Sequence, residues 1–345
     1  MTLENTLIDM YFKCGLLIEA CELFDELPDQ DVASWTAKIS GYADHGFGAE
    51  ALNCFEEMLS KGFSPNVATF LCGMKACGSV RAIGKGQILH AAIIKQGILM
   101  EQPIGSSLVD MYAKCGFLVE ACNVFDQLPT RDDVSFNALM WGYAERGQSI
   151  EALKCMEQMS LEGIVPDGVT FSSILKACGT VGDIHQGQEI HSEVVKKGFE
   201  IEIQSSNVLI DMYAKGGFLV EAQDVFDKLW GCGDVISWNA LMAGYSQLGE
   251  TEIVLDFFHK MVGNDRVKPN SVTFLSVLNA CSDGGLVNIA HMLFVSIRNI
   301  FGVIQTLDHF TCMIDLLGRA GHIEEVVSMI EKMPSILVLL HGIVC

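Results

Sequence analysis

Positive charge is scarce in this chain. Across 345 residues, 22 lysines and arginines stand against 43 aspartates and glutamates, a formal net charge of −21. That balance excludes a protein that holds nucleic acid by general charge, because such binding needs Lys and Arg to neutralise phosphates. It leaves room for a few placed side chains that read a single strand. Long apolar runs are missing too. The longest, Ile336 to Leu340 with Ile343 to Cys345, is too short to span a bilayer, so no membrane partner is expected. The opening MTLENTLIDMYFK has no apolar h-region and no Arg-rich amphipathic character. It reads as neither a secretory signal nor a transit peptide, and looks like the inside of a folded unit. No alternating strand pattern matches the helical one in strength. Proline is rare, with seven residues in all.

What is present points to a packed protein. Half of the residues are hydrophobic, enough for a large core, and intrinsic disorder is excluded. The length suits two domains or one long array. The 13 cysteines are an odd number in a large chain, which reads as reduced, mostly buried thiols rather than a disulfide framework.

Internal repetition dominates. LIDMYFKCG (Leu7 to Gly15) returns as LVDMYAKCG (Leu108 to Gly116), as LIDMYAKGG (Leu209 to Gly217) and more loosely as MIDLLGRAG (Met313 to Gly321). Its aspartates, Asp9, Asp110, Asp211 and Asp315, lie 101, 101 and 104 residues apart. A Gly-Tyr string at Gly41, Gly142 and Gly244 and an Ala-Cys string at Cys77, Cys178 and Cys281 keep nearly the same period. Each long unit divides into three, giving the register 1–31, 32–66, 67–101, 102–132, 133–167, 168–202, 203–234, 235–270, 271–306 and 307–336, with a divergent apolar tail at 337–345. All seven prolines fall at or beside these joins, where helices should end.

Within each unit the apolar pattern is helical twice. Leu7, Met10 and Tyr11 mark one face before Gly15 breaks the chain. Leu17, Ala20, Phe24 and Leu27 mark the next. Later units repeat this with Leu52, Phe55 and Leu59, then Val119, Cys122 and Phe125. One such hairpin cannot bury its apolar face alone, so neighbours must stack. The expected fold is all-α, a right-handed α-solenoid of about ten helix–turn–helix repeats.

Units ending in Pro65-Asn66, Pro166-Asp167 and Pro269-Asn270 alternate with units carrying Ala-Cys and with short units reading LIDMYxKCG…A…VFDxLP. This order resembles plant pentatricopeptide repeat proteins of the P-L-S class over residues 1–334. The resemblance implies an RNA-binding protein of mitochondrion or chloroplast, not an enzyme, with no cofactor. In such a protein the fifth and last residues of each repeat together meet one RNA base. Residue by residue it implies Asn5 with Asp31 on U, Thr36 with Asn66 on A, Ser106 with Asp132 on G and Asn137 with Asp167 on U. Asn207 with Asp234 falls on U, and Asn239 with Asn270 on C or U. Leu71/Glu101 and Leu275/Thr306 should read nothing, Ser172/Glu202 is uninformative, and Thr311 lacks a matching last residue because Leu337 stands where the pattern wants Asp or Asn. The implied target is 5′-UA-n-GU-n-UC-n-3′. The fifth residue is expected on the first turn of its helix, where Asn, Ser or Thr could alternatively serve only as caps. Val134 and Ile236, with Ala33 as a smaller third, are the candidates for packing on base faces. Lys13, Lys114, Lys215 and Arg319 share one position of the short units. The resemblance places them near phosphates; a helix C-terminus alone would also favour them.

Other motifs carry less. His191-Ser192-Glu193 matches the HxE of zinc deaminases, but the PCxxC that this chemistry needs occurs nowhere, and His90 fills the same slot one repeat earlier. Neither Cys72/Cys77 nor Cys115/Cys122 is completed by a second ligand pair into a zinc-site pattern. Gly46-Phe47-Gly48 and Gly84-Lys85-Gly86 follow no strand and read as turns. The implied use is selection of a site for C-to-U editing, with a deaminase or accessory factor acting in trans. RNA stabilisation or processing is a related use. An acidic protein-interaction scaffold and a nonfunctional truncated copy are the alternatives. Both ends depart from the family pattern, so the chain is expected to be truncated at each.

Overall fold

Twenty α-helices and no strands are found among the residues that this computed structural model describes, which are 3–99, 101–198, 203–229, 233–264 and 266–333. They form ten helical hairpins. The first six pair α1 (Leu3–Lys13) with α2 (Leu17–Asp25), α3 (Val32–Asp44) with α4 (Gly48–Ser60), α5 (Val67–Ser79) with α6 (Ile83–Gln96), α7 (Ile104–Lys114) with α8 (Leu118–Gln127), α9 (Asp133–Glu145) with α10 (Ser149–Leu161), and α11 (Gly168–Val181) with α12 (Ile184–Lys197). The last four pair α13 (Ile203–Lys215) with α14 (Leu219–Lys228), α15 (Val235–Gln247) with α16 (Thr251–Val262), α17 (Ser271–Asp283) with α18 (Val287–Asn299), and α19 (Leu307–Arg319) with α20 (Ile323–Lys332). The tail at 337–345, with Glu202, Pro334 and Leu337, lies outside the described residues.

The chain gathers into two compact units, divided between Ala177 and Cys178 within α11. Each follows one plan. First helices stack on first helices: α1, α3, α5, α7 and α9 in series in one unit, α13, α15, α17 and α19 in the other. Second helices pack on their own first helix and on the next one, as α4 does on α3 and α5. This is the all-α solenoid expected from the repeats.

Local chemistry sets the helix ends. Asp31, Asn66, Asp132 and Asn270 each stand in extended backbone and accept the N–H three residues on, from Ser34, Thr69, Ser135 and Thr273, whose hydroxyls bond back to the cap. Nine of the ten first helices stop at a glycine in the left-handed region, as at Gly116 (φ +82°); after α5, Arg81 (φ +52°) takes that place. The fourth residue of five first helices, α3, α5, α9, α11 and α17, fills the core: Trp35, Phe70, Phe136, Phe171 and Phe274 are all fully buried. Helix approach is close enough that a Cβ on Gly142 would run into the Leu118 side chain of the preceding hairpin.

Several face assignments shift by one residue. Leu7, Met10, Leu59 and Val119 are exposed, while Ile8, Phe12, Met58, Leu118 and Ala121 take the buried places. Where two neighbouring residues are both apolar, period alone does not choose between them; the packing partners do. In α7 the residues matching Leu7 and Met10, Leu108 and Met111, are buried because α7 packs against α5, α6, α8 and α9. Helix α1 packs against α2 and α3.

Candidate nucleic-acid interface

The residues expected to act together are brought together. Asn5 donates from Nδ2 to both carboxylate oxygens of Asp31 at 3.2 Å, and Asn207 does so to Asp234 at 3.1 and 3.2 Å. Ser106 Oγ donates to the Asp132 oxygens at 2.8 and 2.9 Å. Asn137 Nδ2 reaches Asp167 Oδ1 at 3.3 Å, and Asn239 Nδ2 reaches Asn270 Oδ1 at 3.1 Å. The sixth pair is indirect: the Thr36 hydroxyl lies 2.8 Å from that of Thr69, which donates to Asn66 Oδ1 at 2.9 Å.

The structure also separates capping from pairing. The last residue of a unit is the N-cap of the next first helix, so Asp31, Asn66, Asp132, Asp234 and Asn270 carry the capping role. The fifth residue is no cap. Thr36, Asn137 and Asn239 are the fifth helical residues of α3, α9 and α15, past the first turn expected, whereas Asn5 and Ser106 are the third residues of α1 and α7 and lie within it. Capping therefore does not account for the recurrence of Asn, Ser and Thr at that position.

Charge at the caps is held in the ionised form. The Ser34 backbone N–H keeps the Asp31 carboxyl below its ordinary 3.8, against partial desolvation, with Asn5 and the Ser34 hydroxyl adding to the effect. At Asp167 burial pushes upward, but hydrogen bonds from Thr170 and Asn137 outweigh it and the net shift is again down. A carboxyl lowered on folding contributes stability above its unfolded value and loses it as pH falls through the folded one. Asp31→Asn keeps a capping oxygen but does not titrate. Between about pH 5 and pH 3 the wild-type thermal midpoint is expected to fall further than that of Asp31→Asn. Equal slopes in thermal melts would remove this role.

The position-13 cations do not stand alone. Lys13, Lys114 and Lys215 each pair at 2.7 Å with the aspartate four residues earlier, Asp9, Asp110 and Asp211, and Arg319 pairs likewise with Asp315. A ladder of cations is thus offset by a ladder of carboxylates. Val134 and Ile236 are exposed beside the pairs, as is Ala33.

Three contributors went unseen in the sequence. Thr170 Oγ1 donates to Asn137 Oδ1 and Thr273 Oγ1 to Asn239 Oδ1, both at 2.7 Å, while Thr69 links Thr36 to Asn66. Thr170 and Thr273 orient the asparagine amides so that Nδ2 faces the last residue. Their signal was a Ser or Thr three places after every last-position Asp or Asn, the spacing of a capping box. A second recurring contact explains His191, whose Nδ1 lies 2.8 Å from Tyr213 Oη; His90 and Tyr112 repeat it at 2.8 Å. Cys21 and Cys122 meet Tyr42 and Tyr143 in the same way, at 2.9 and 3.2 Å. Burial pushes the Cys77 and Cys155 thiols up to about 12, as suits small packed side chains.

Comparison with known proteins agrees with this layout. The PPR repeat family matches residues 30–79, 131–180 and 233–283, and single PPR repeats match 5–32, 106–132, 169–199, 205–234 and 308–336. These profiles describe a repeat rather than an enzymatic domain. A putative mitochondrial pentatricopeptide repeat-containing protein of Arabidopsis thaliana is 38% identical over 96% of the chain and 53% of its own length. Another Arabidopsis thaliana pentatricopeptide repeat-containing protein is 38% identical over 96% of the chain and 55% of its own. The chain spans about half the length of the curated relatives it matches. Among solved structures, maize pentatricopeptide repeat protein PPR10 superposes with a TM-score of 0.66 at 18% identity, covering 98% of the chain and 53% of PPR10. PPR10 in complex with an 18-nt psaJ RNA element gives 0.57 at 18% identity, with 99% and 55% covered.

Proposed function

The chain belongs to the pentatricopeptide repeat family, and from that premise we propose that it binds single-stranded RNA in a sequence-specific way, in the manner of the P-L-S class, with the ten units of the register above as its reading frame. The observation that carries the reading is the recurrent side-chain bond between fifth and last residues. In the Asn137–Asp167 pair, Asn137 Oδ1 is occupied by Thr170 and one N–H by Asp167. That leaves an amide N–H beside a carboxylate oxygen, a donor next to an acceptor. Uracil presents the complement, a carbonyl next to N3–H. Asn270, an amide, offers a donor where the aspartates offer an acceptor, which suits the N3 of cytosine. Val134 and Ile236 supply apolar surface for the base faces, and Lys13, Lys114, Lys215 and Arg319 the phosphate contacts.

PPR10 is known in complex with an RNA element, and several relatives are named mitochondrial. The setting proposed is therefore organellar RNA metabolism, with site selection for C-to-U editing as its use and the deaminase supplied by another protein. A gel-shift titration tests the RNA reading. RNA containing 5′-UANGUNUCN-3′ is expected to bind more tightly than a scrambled control at both low and moderate salt. Equal affinity for the two would end it.

A further inference from the structure

One aromatic arrangement occurs three times, and in its third copy no cation sits on the edge-on ring pair among the described residues. In the first copy Phe24 meets Trp35 edge-on at 4.8 Å; Lys38 Nζ sits 4.2 Å from the Phe24 centroid and 3.3 Å from Asp25, and Lys61 lies 4.9 Å from the Trp35 ring. In the second, Phe125 meets Phe136 at 4.9 Å, and the Arg131 guanidinium lies 4.5 Å over Phe125 while pairing with Asp126 at 3.6 Å and Glu162 at 2.7 Å. In the third, Phe226 meets Trp238 at 4.9 Å with the same edge-on geometry, and Asp227 stands where Asp25 and Asp126 stand. The cation positions now hold Leu241, Gly233 and Asn264 in place of Lys38, Arg131 and Lys61. Asp227 makes no ion pair among the described residues.

A cavity of about 460 Å³ occupies this place, its lining including Phe226, Asp227, Gly233, Trp238, Phe257 and Lys260. Trp238 is half-buried, whereas Trp35 and Phe136 are sealed. Phe257, where the siblings carry Cys54 and Cys155, adds a third ring 6.1 Å from both others. Lys260 lies 5.4 Å from the Phe257 centroid, but Asp256 holds it at 2.7 Å.

We infer that this cavity is a docking site for an arginine side chain of a partner protein, which supplies from outside the cation that the sibling sites supply from within. A guanidinium stacks on aromatic faces and bonds a carboxylate through two parallel N–H groups, which is what Phe226, Trp238 and Asp227 offer. The net charge of −21 favours a basic polypeptide over a polyanion at this carboxylate-edged mouth. One side chain binds weakly by itself; the partner's neighbouring contacts raise the affinity.

The test uses the whole chain with ¹⁵N-labelled tryptophan, the Trp238 indole being assigned by its loss in Trp238→Phe. Acetyl-Gly-Arg-Gly-amide is expected to shift that signal saturably, and acetyl-Gly-Gln-Gly-amide is not. Gly233→Arg, which restores the Arg131 arrangement, is expected to abolish the response. Asp227→Asn, an exposed change that leaves the fold intact by circular dichroism, is expected to weaken it about tenfold. No saturable shift with the arginine peptide, or an unchanged response in both variants, overturns the inference. A Trp238 shift produced by oligouridylate but not by the peptide assigns the cavity to a nucleobase instead. A shift that depends on protein concentration alone assigns it to a second copy of the chain.

Discussion

Phe136→Ala is expected to cost about 3–5 kcal/mol of stability. The ring is fully buried and stands edge-on to Phe125 at 4.9 Å, so truncation removes transfer energy, opens a cavity and deletes an aromatic pair worth about 1 kcal/mol more. The cavity also lies under a charged lid. Arg131 rests on the Phe125 face and is tied to Glu162 at the end of α10. Without Phe136, Phe125 is free to tilt and the cation loses its seat. Each hairpin is stabilised mainly by its neighbours. The damage should therefore weaken the stack where α8, α9 and α10 meet, not lower every part equally. In urea titrations followed by far-ultraviolet circular dichroism, an early transition is expected to split from the main one. A single unsplit transition with a loss under about 1 kcal/mol would mean that this aromatic layer is not what holds the hairpins together.

The period, the hairpins and the pairing residues were legible because each depends on spacing within one copy or between copies. Asp9, Asp110 and Asp211 return at fixed intervals, and so do the Asn, Ser and Asp residues that prove to touch. Two things were not legible. The first is which of two adjacent apolar residues faces inward: Ile8 rather than Leu7 and Leu118 rather than Val119 are chosen by neighbouring helices. The second is equivalence in space without equivalence in sequence. Lys38 lies inside α3 and Arg131 in the loop before α9, yet both end on the phenylalanine of the preceding helix and on the aspartate beside it. An alignment of the repeats shows each position losing its cation singly; only the folded chain shows that Leu241 and Gly233 together empty one place. Threonine participation was hidden for a related reason, since Thr69, Thr170 and Thr273 look like ordinary cap partners until their second bond is seen.

Asp167→Ser together with Asp234→Ser is expected to lower affinity for RNA carrying uridine at the two matched positions by about a hundredfold. Serine ranks beside aspartate as an N-cap, so α11 and α15 keep their starts and Thr170 keeps its bond to Asn137. The groups lost are two carboxylate oxygens that would accept from uracil N3–H. A hydrogen bond to a charged group is worth about 1.5–3 kcal/mol, so two of them account for a change of that size. The direction of the effect is informative. Removing two negative charges from a chain of −21 reduces repulsion of phosphates, so general electrostatics alone predicts tighter binding. Base readout predicts weaker binding to the matched RNA, little change for RNA with cytidine at those positions, and an unchanged salt slope, because no phosphate contact is removed. Titrations of both RNAs at two salt concentrations, with thermal melts to establish that the caps persist, separate the two. Tighter binding to both RNAs would show that the aspartates act only as caps and as charge, and the base-reading role of the fifth and last residues would fall with it.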